Sequence, residues 1–149
     1  MFDDNWELIN GPEAHEIEVL NYSSQVNFIE ALIKFVTYHI RLNSALLNSH
    51  PSEAELCELH RTGTLLLLKT PGVYRDGEVV VSKGGVTVHQ PPHWEDVKDC
   101  MNEFTKELGA RWTSTPPIEI ASFCLWRINW IHPFKNGNGR TARVSISVE

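Results

Sequence analysis

The residues from His132 to Arg143 combine a side chain that could catalyse a transfer with others that could bind an anion. The imidazole of His132 could accept a proton near neutral pH, since an unperturbed histidine titrates near ~6.5. Glycines on both sides of Asn138 would let backbone N–H groups approach an anion closely. Arg140 and Arg143 add planar, always-charged donors for phosphate oxygens. This combination suits transfer of a nucleotide or phosphoryl group, whereas the alternative is a plain turn with both arginines in a solvated face.

Helices must position this segment, because apolar residues recur at helical spacing along most of the chain. Residues 1 to about 22 are acidic and predict either a short helix or an ordered tail, with a break at Gly11-Pro12. Four helices are predicted after them: Ser24 to about Asn48 with Ser23 or Ser24 as its cap, Glu53 to about Leu68, Trp94 to about Leu108, and one from Thr115-Pro116-Pro117, with Thr115 as cap, to His132.

A β-hairpin is predicted between the second and third helices. Two β-branched runs, Val79–Ser82 and Val86–His89, flank the dipeptide Gly84-Gly85. Because an isolated hairpin is only marginally stable in water, it must lean on the helices or act as a flap. Residues 144–149 also alternate with strand-like period, so the chain end is either a short helix imposed by packing or a truncated or divergent end.

Composition predicts one soluble cytoplasmic domain over residues 1–149. The net charge of −6 and the pI near 5.6 argue against a nucleic-acid partner. No apolar run reaches the ~18 residues of a membrane span, and the N-terminus does not read as a signal peptide. The cysteines, which lack any Cys-x-x-Cys pairing, are expected to be reduced thiols: Cys57, Cys100 and Cys124.

The segment at 132–143 resembles the signature loop of the Fic (filamentation induced by cyclic AMP) family, His-x-Phe-x-Asp/Glu-Gly-Asn-Gly-Arg-x-x-Arg. Only Asn136 departs from the fixed positions. Weaker resemblance covers residues 50 to 143, through Leu59-His60-Arg61 and the borders of the hairpin at Gly72–Arg75 and Pro91-Pro92. The resemblance implies a mainly α fold, a Fic-like helical bundle with a short β-hairpin flap at about 73–90.

The resemblance also implies a protein adenylyltransferase, which moves AMP from ATP to a Ser, Thr or Tyr hydroxyl of a target protein. His132 would be the general base. Amides around Gly137, Asn138 and Gly139 would bind the α- and β-phosphates, Arg140 would offset charge on the β- and γ-phosphates, and Arg143 would reach the γ-phosphate. A related possibility is another diphosphate-containing donor, since some family members move phosphocholine or a phosphoryl group.

Magnesium is the point that Asn136 puts in question. The family most often has a carboxylate there to bind Mg²⁺, whereas an amide oxygen is a neutral and weaker ligand. Activity is therefore expected to be weak, to need high magnesium or to be lost. The competing hypothesis is a non-catalytic nucleotide-binding or protein-interaction domain of Fic fold. Phe134 is expected to anchor the loop in the core, with Pro133 stiffening the turn.

Two partners follow from the resemblance. A target protein is expected to dock on the hairpin flap. Many family members are restrained by a helix reading Ser/Thr-x-x-x-Glu-Gly/Asn, whose glutamate pairs with the second loop arginine. The nearest match is Ser49 with Glu53, but Ala54 follows. A separate inhibitory protein, a lost segment or no inhibition at all are the alternatives. His60 lies within a predicted helix, where packing is expected more than a role in the site.

Overall fold

The computed structural model describes residues 7–9, 11–40 and 49–146. Within them, the chain forms five α-helices and one β-hairpin, which confirms the mainly α fold. The elements are α1 (Pro12–Ile40), α2 (Glu53–Thr64), β1 (Val81–Lys83), β2 (Val86–His89), α3 (Val97–Arg111), α4 (Pro117–Ile131) and α5 (Asn138–Ser145). None of the helices in this part of the chain combines the length and apolar character that a membrane crossing needs.

The core lies where α3 and α4 pack together with α2 and α5. Each helix contributes residues of one apolar stripe, so the spacing seen in the sequence becomes a buried face. The side chains of this cluster are 5% exposed or less: Leu56, Val97, Met101, Phe104, Leu108, Ile120, Cys124, Ile128, Ile131 and Ala142. A smaller cluster of Ile29, Leu59 and Val144 joins α1 to α2 and α5. These two clusters fix the ends of α4 and α5, between which the loop 132–137 lies.

Helix α1 begins at Pro12, twelve residues before the predicted start at Ser24. Ser23 and Ser24 are not caps, because their hydroxyls donate to the carbonyls four residues earlier. The predicted break at Gly11-Pro12 is the true start, where Gly11 has a φ of 86°. The predicted end near Asn48 lies outside the described residues.

Helix α2 begins as predicted but ends earlier. Ser52 accepts a hydrogen bond from the Glu55 N–H, and the Glu55 carboxylate accepts one from the Ser52 N–H, which forms a capping box. The helix stops at Thr64 rather than near Leu68, since Leu66 has a left-handed φ of 64°. The Leu67 carbonyl then accepts a hydrogen bond from Leu8 at 2.9 Å. A contact with the N-terminal segment therefore replaces the last predicted turn.

The hairpin and the two helices after it lie close to their predicted positions. Gly84 and Gly85 have φ values of 58° and 78°, which suit the two-residue turn joining β1 and β2. A short 3₁₀ turn at Trp94–Asp96 precedes α3, which runs three residues beyond Leu108. Pro116, and not Thr115, is the cap of α4, and no side chain bonds to that helix start.

Residues 138–145 are helical despite their partly strand-like alternation. The helix α5 packs against both α2 and α4, and its residues Thr141, Ala142, Val144 and Ser145 are buried there. A helix satisfies its own backbone hydrogen bonds, which an isolated strand in this position could not do. Packing thus keeps Val144 and Ser145 helical, as the first of the two alternatives expected, whereas residues 147–149 of the alternating stretch lie outside the described residues.

Candidate functional site

His132 lies at the point where α4 ends and the chain reverses. It is the C-terminal cap of α4, with left-handed φ and ψ of 52° and 57°, a conformation that is strained for a non-glycine residue. Its N–H donates to the Ile128 carbonyl at 2.9 Å. The half-buried side chain is thereby held at the end of a rigid helix.

The imidazole of His132 has one nitrogen committed to the protein. Nδ1 lies 3.3 Å from the Asn129 carbonyl, which can only accept, so we assign the proton to Nδ1. Burial lowers the pKa of His132. The positive charge of Arg75 and the nearby His89 also lower this pKa, whereas the hydrogen bond to Asn129 raises it. The ring is therefore neutral at pH 7, and Nε2 is left as a proton acceptor.

The loop after His132 is closed by a local clamp. The side-chain amide of Asn138 accepts a hydrogen bond from the Phe134 N–H at 2.9 Å and donates one to the Phe134 carbonyl at 2.8 Å. Asn138 is 2% exposed, and Phe134 is 1% exposed. Phe134 is thus the core anchor that its position predicted, and the Asn138 side chain has a structural part that the sequence analysis did not assign.

His60 of α2 contacts the same loop through its ring. Its ring stacks on Phe134 with centroids 3.6 Å apart and an angle of 7° between the planes. Nε2 donates to the Asn136 carbonyl at 2.8 Å, and Nδ1 accepts from the Gly72 N–H at 2.9 Å. Burial lowers the pKa of His60 to about 4, so the ring is neutral and can make both bonds. The packing role expected for His60 is confirmed, and it bears directly on the loop.

Gly137 makes the turn into α5. Its φ of 78° is left-handed, and a Cβ atom there would lie 2.8 Å from Cγ2 of Thr64. Only glycine meets both conditions without strain. As the N-cap of α5, Gly137 offers no side chain to the helix. The first intrahelical bond of the turn runs from Thr141 to the Gly137 carbonyl, so the N–H groups of Asn138, Gly139 and Arg140 point from the helix start as anion donors.

The two loop arginines differ in their surroundings. Arg140 donates to Oε1 of Glu18 on α1 at 3.0 Å, and both side chains are partly exposed. Arg143 is exposed and lies one turn further along α5. A Cβ atom added to Gly139 would lie 3.4 Å from Nη1 of Arg143. In the described ranges, no carboxylate lies within salt-bridge distance of Arg143. Arg143 is therefore available to an anionic ligand, whereas Arg140 already has a partner.

Asn136 is exposed, and its side chain folds back on the loop. Its Oδ1 accepts a hydrogen bond from the Gly137 N–H at 2.6 Å. No group of three or more His, Cys, Asp or Glu side chains that could hold a metal ion occurs in residues 7–9, 11–40 and 49–146. The Asn136 side chain would offer Mg²⁺ one neutral oxygen, so phosphate oxygens and water would have to supply most of the other ligands.

The structure brings together all of the site residues predicted from the sequence. His132 ends α4, Asn136 and Gly137 form the turn, and the others begin α5: Asn138, Gly139, Arg140 and Arg143. Two contributors were not predicted, namely Glu18 beside Arg140 and Arg75 beside His132. Arg75 was noted in the sequence only as the last residue of the hairpin border Gly72–Arg75, and no sequence signal pointed to Glu18.

Comparison with known proteins matches the same region. The sequence profile described as the Fic/DOC family matches residues 50–148. The chain is similar to the protein adenylyltransferase Fic of Nematostella vectensis, with 34% identity over 134 residues, which cover 87% of this chain and 28% of that protein. The corresponding protein of Aedes aegypti shows 28% identity over 122 residues, which cover 80% of this chain and 22% of it. The chain thus spans about a quarter of the length of these relatives.

Solved structures share the fold. A Fic domain containing signaling protein from Bacteroides thetaiotaomicron superposes with a TM-score of 0.71 at 20% identity, over 93% of this chain and 48% of that one. A Fic family protein from Desulfovibrio desulfuricans gives a TM-score of 0.61 at 22% identity, over 93% of this chain and 49% of that one. At these identities the likeness concerns the arrangement of helices and hairpin.

Proposed function

Because this chain belongs to the Fic/DOC family, we propose that it is a protein adenylyltransferase that moves AMP from ATP to a hydroxyl group of a target protein. The observation that carries this proposal is the junction of α4 and α5. There, His132, which keeps an acceptor nitrogen, ends α4, and the next helix, α5, begins with N–H groups that have no intrahelical partner and carries two arginines. The relatives named as adenylyltransferases Fic support the same reaction.

The proposed reaction needs one proton transfer and one displacement at phosphorus. Nε2 of His132 accepts the proton of a Ser, Thr or Tyr hydroxyl, whose oxygen bonds to the α-phosphorus of ATP. The bond from the α-phosphorus to the bridging oxygen breaks, and pyrophosphate leaves. The N–H groups of Asn138 and Gly139 would bind the α- and β-phosphates, with Arg140 and Arg143 at the β- and γ-phosphates. The Gly137 N–H, assigned to the same task from the sequence, first has to exchange its bond to Asn136.

Incubation with labelled ATP tests the proposal. The protein is mixed with a cell lysate and with ATP labelled either at the α-phosphate or at the γ-phosphate. Transfer of AMP labels a target protein from the first nucleotide and not from the second. Label from the γ-phosphate would indicate phosphoryl transfer instead, and nucleotide binding without label from either would favour the non-catalytic domain.

Asn136 is the residue we propose to contact Mg²⁺, which would offset the charge of the ATP phosphates when bound. An aspartate at 136 is expected to lower the magnesium concentration needed for transfer. The side chain of residue 136 is released when the Gly137 N–H turns to the phosphates, and a carboxylate there would be a charged ligand for the ion. The measurement is a magnesium titration of label transfer for the parent and Asn136→Asp. An unchanged magnesium midpoint in Asn136→Asp would show that Asn136 does not contact the ion.

The hairpin is the surface on which we propose that the target docks. Val86 and Val88 on β2 are 66% and 59% exposed, and β2 is tied to α4 because His89 donates to the Trp130 carbonyl at 2.7 Å. An extended target segment could pair with an open edge of this hairpin and so reach His132. In a two-residue hairpin the residues closing the turn bond to each other, so the next pair, Ser82 and Thr87, direct their N–H groups outward.

A proline at the outward-facing position of β2 tests this docking. Thr87→Pro removes one edge donor but none of the bonds between the strands, so the KM for the target should rise roughly 3- to 10-fold. ATP affinity should stay within twofold of that of the parent protein. A parallel loss of target modification and ATP binding would show that the hairpin only supports the fold.

The ion pair between Arg140 and Glu18 bears on whether a carboxylate of this chain restrains nucleotide binding. The nearest match to the inhibitory pattern, Ser49 with Glu53, does not reach the loop, since Glu53 accepts a hydrogen bond from the Tyr74 hydroxyl at 2.8 Å. Glu18 is the carboxylate that meets a loop arginine, and it meets the first one. We propose that ATP has to compete with Glu18 for Arg140. A separate inhibitory protein would then act on the second loop arginine, Arg143, as the resemblance implies.

Replacing Glu18 with glutamine should therefore tighten ATP binding by about two- to fivefold. The gain is small because a partly exposed ion pair contributes little. Glu16→Gln, an exposed carboxylate on the same helix, is the matched control and should leave the Kd unchanged. Weaker ATP binding in Glu18→Gln would mean that the pair orients Arg140 for the nucleotide instead of competing with it.

We propose that this chain acts in the cytoplasm and that its target is a protein, not a nucleic acid or a membrane. The net charge of −6 supports this choice, because an acidic surface repels phosphate backbones and anionic lipids. Modification of a protein band in the labelled lysate, resistant to nuclease and extracted from the soluble fraction, is the expected result.

A further inference from the structure

Arg75 is a buried arginine whose side chain, among the described residues, donates to backbone carbonyls and to no side chain. It is 2% exposed. Nε donates to the His132 carbonyl at 2.8 Å, one terminal nitrogen donates to Gly77 at 3.1 Å, and the other donates to Pro92 and, at 3.5 Å, to Ile131. The Arg75 N–H itself donates to the Pro133 carbonyl at 2.8 Å. One side chain therefore joins the chain before β1, the chain after β2 and the end of α4.

This set of bonds is unusual for a buried charge. Burying a guanidinium is costly unless its hydrogen bonds are met, and a carboxylate is the common partner. Within the part of the chain that the structure describes, no carboxylate lies within 4.0 Å of Arg75. Backbone carbonyls at the C-terminal end of α4, where the helix dipole is negative, replace the carboxylate as partners of Arg75. Burial lowers the pKa of Arg75, with the charge of Glu78 opposing, but an arginine stays protonated at any pH of interest.

The carbonyls that Arg75 holds are those that set the geometry of His132. The left-handed backbone of His132 is strained and persists only if its surroundings fix it. The hairpin, being two-stranded, also needs outside support. Arg75 supplies both at once, since its bonds to Gly77 and Pro92 hold the two ends of the hairpin against the residue that would act as the base.

We propose that Arg75 is a positioning residue, which fixes His132 in its left-handed conformation and joins it to the target-docking hairpin as one rigid unit. The inference rests on the proposed function, because it assigns His132 as base and the hairpin as docking surface. Arg75 touches neither ATP nor the hydroxyl in this scheme. It acts through backbone carbonyls, and its charge also faces the His132 ring together with His89 of β2.

Two substitutions separate the geometry from the charge. Arg75→Lys keeps the charge but not the planar set of donors, and Arg75→Gln removes both. Both variants should lower kcat about 10- to 100-fold, the range expected for a misplaced catalytic group, with the Kd for ATP within threefold of the parent. Arg61→Gln is the matched control, an exposed arginine on α2 whose partner is Glu58, and it should change neither quantity.

Two measurements need neither target nor nucleotide, so they test Arg75 even if the proposed transfer fails. In both variants, amide hydrogen exchange in residues 79–90 should rise about tenfold or more while α3 stays protected. By NMR, the His132 ring should titrate at a higher pH in Arg75→Gln than in Arg75→Lys, because only the former loses the neighbouring charge. The titration reports whether the charge of residue 75 reaches the His132 ring, and the hydrogen exchange reports whether its side chain holds the hairpin.

Several results would overturn the inference. Parent-like kcat in a folded Arg75→Lys variant would remove the positioning role. A loss of ATP binding as large as the loss of kcat would show collapse of the loop instead. Unchanged exchange in the hairpin would break the link between hairpin and base. Should Arg75→Gln fail to fold, Arg75→Lys alone decides the kcat and exchange tests.

Discussion

Substitution of His132 by alanine is expected to lower the rate of AMP transfer about 10²- to 10⁴-fold. The Nε2 atom of His132 is the free proton acceptor at the junction of α4 and α5, because Nδ1 is committed to the Asn129 carbonyl. The donors proposed for the phosphates belong to α5 and do not touch the imidazole. ATP should therefore bind His132→Ala with nearly the parent affinity, which calorimetry can measure beside the transfer assay.

The control for this substitution is His15→Ala, which removes an exposed histidine of α1. That variant should transfer AMP at the parent rate. Equal transfer by His132→Ala and the parent would exclude His132 as the base. Loss of ATP binding in His132→Ala would instead place the ring at the nucleotide and would leave the proton acceptor to be found elsewhere.

The pH profile of the parent gives an independent check on His132. Burial lowers the pKa of His132 below the ordinary value of about 6.5, so the neutral, active form extends to lower pH than in a free histidine. The midpoint of the loss of transfer at acid pH should therefore lie below pH ~6.5. A decline centred above pH 7 would contradict the neutral, buried environment that we describe for this ring.

His60→Ala should lower the free energy of unfolding by about 2–4 kcal/mol. The substitution removes a ring stacked on Phe134 and leaves the Gly72 N–H and the Asn136 carbonyl without the bonds that they make to it. The loop between α4 and α5 would lose its support from α2. Denaturant unfolding measures the loss, and His15→Ala serves again as the exposed control, expected to stay within ~0.5 kcal/mol.

The acid stability of the parent tests the same contact. The pKa of His60 is about 4 in the folded protein and near 6.5 in the unfolded chain, so the unfolded chain binds the proton first. The stability that the neutral ring contributes is complete above pH ~6.5 and is lost as the pH falls towards 4. His60→Ala should lack this part of the pH dependence. An identical slope in both proteins would mean that His60 is not buried in its neutral form.

Local sequence determined much of the site itself. The turn needs a left-handed residue at Gly137, and the clamp joins Asn138 to Phe134 only four residues away. Interactions of this range are encoded within the motif, so a sequence match carries the backbone geometry with it. The capping box at Ser52 is equally local and lies at the predicted start of α2, and the Gly84-Gly85 turn formed where the residues predicted it.

Long-range contacts decided where the helices begin and end. The early part of α1 is held by Asn21, which donates to the Leu65 carbonyl at 2.8 Å, and by Gln25, which donates to the Leu59 carbonyl at 2.8 Å. No periodicity within residues 12–23 reveals these partners. In α5, burial between α2 and α4 keeps Val144 and Ser145, the first residues of the strand-like alternation, in a helix. Propensity is a weak prior that tertiary packing can override.

The contacts around the site that the sequence did not reveal share one property, which is the long separation of the two partners along the chain. His60 meets Asn136 across 76 positions, Arg75 meets His132 across 57, and Glu18 meets Arg140 across 122. The motif by itself determined which groups face the proposed chemistry, because their geometry is local. Only the tertiary structure decided what holds those groups in place, because the supporting side chains come from helices and turns that folding alone brings to the loop.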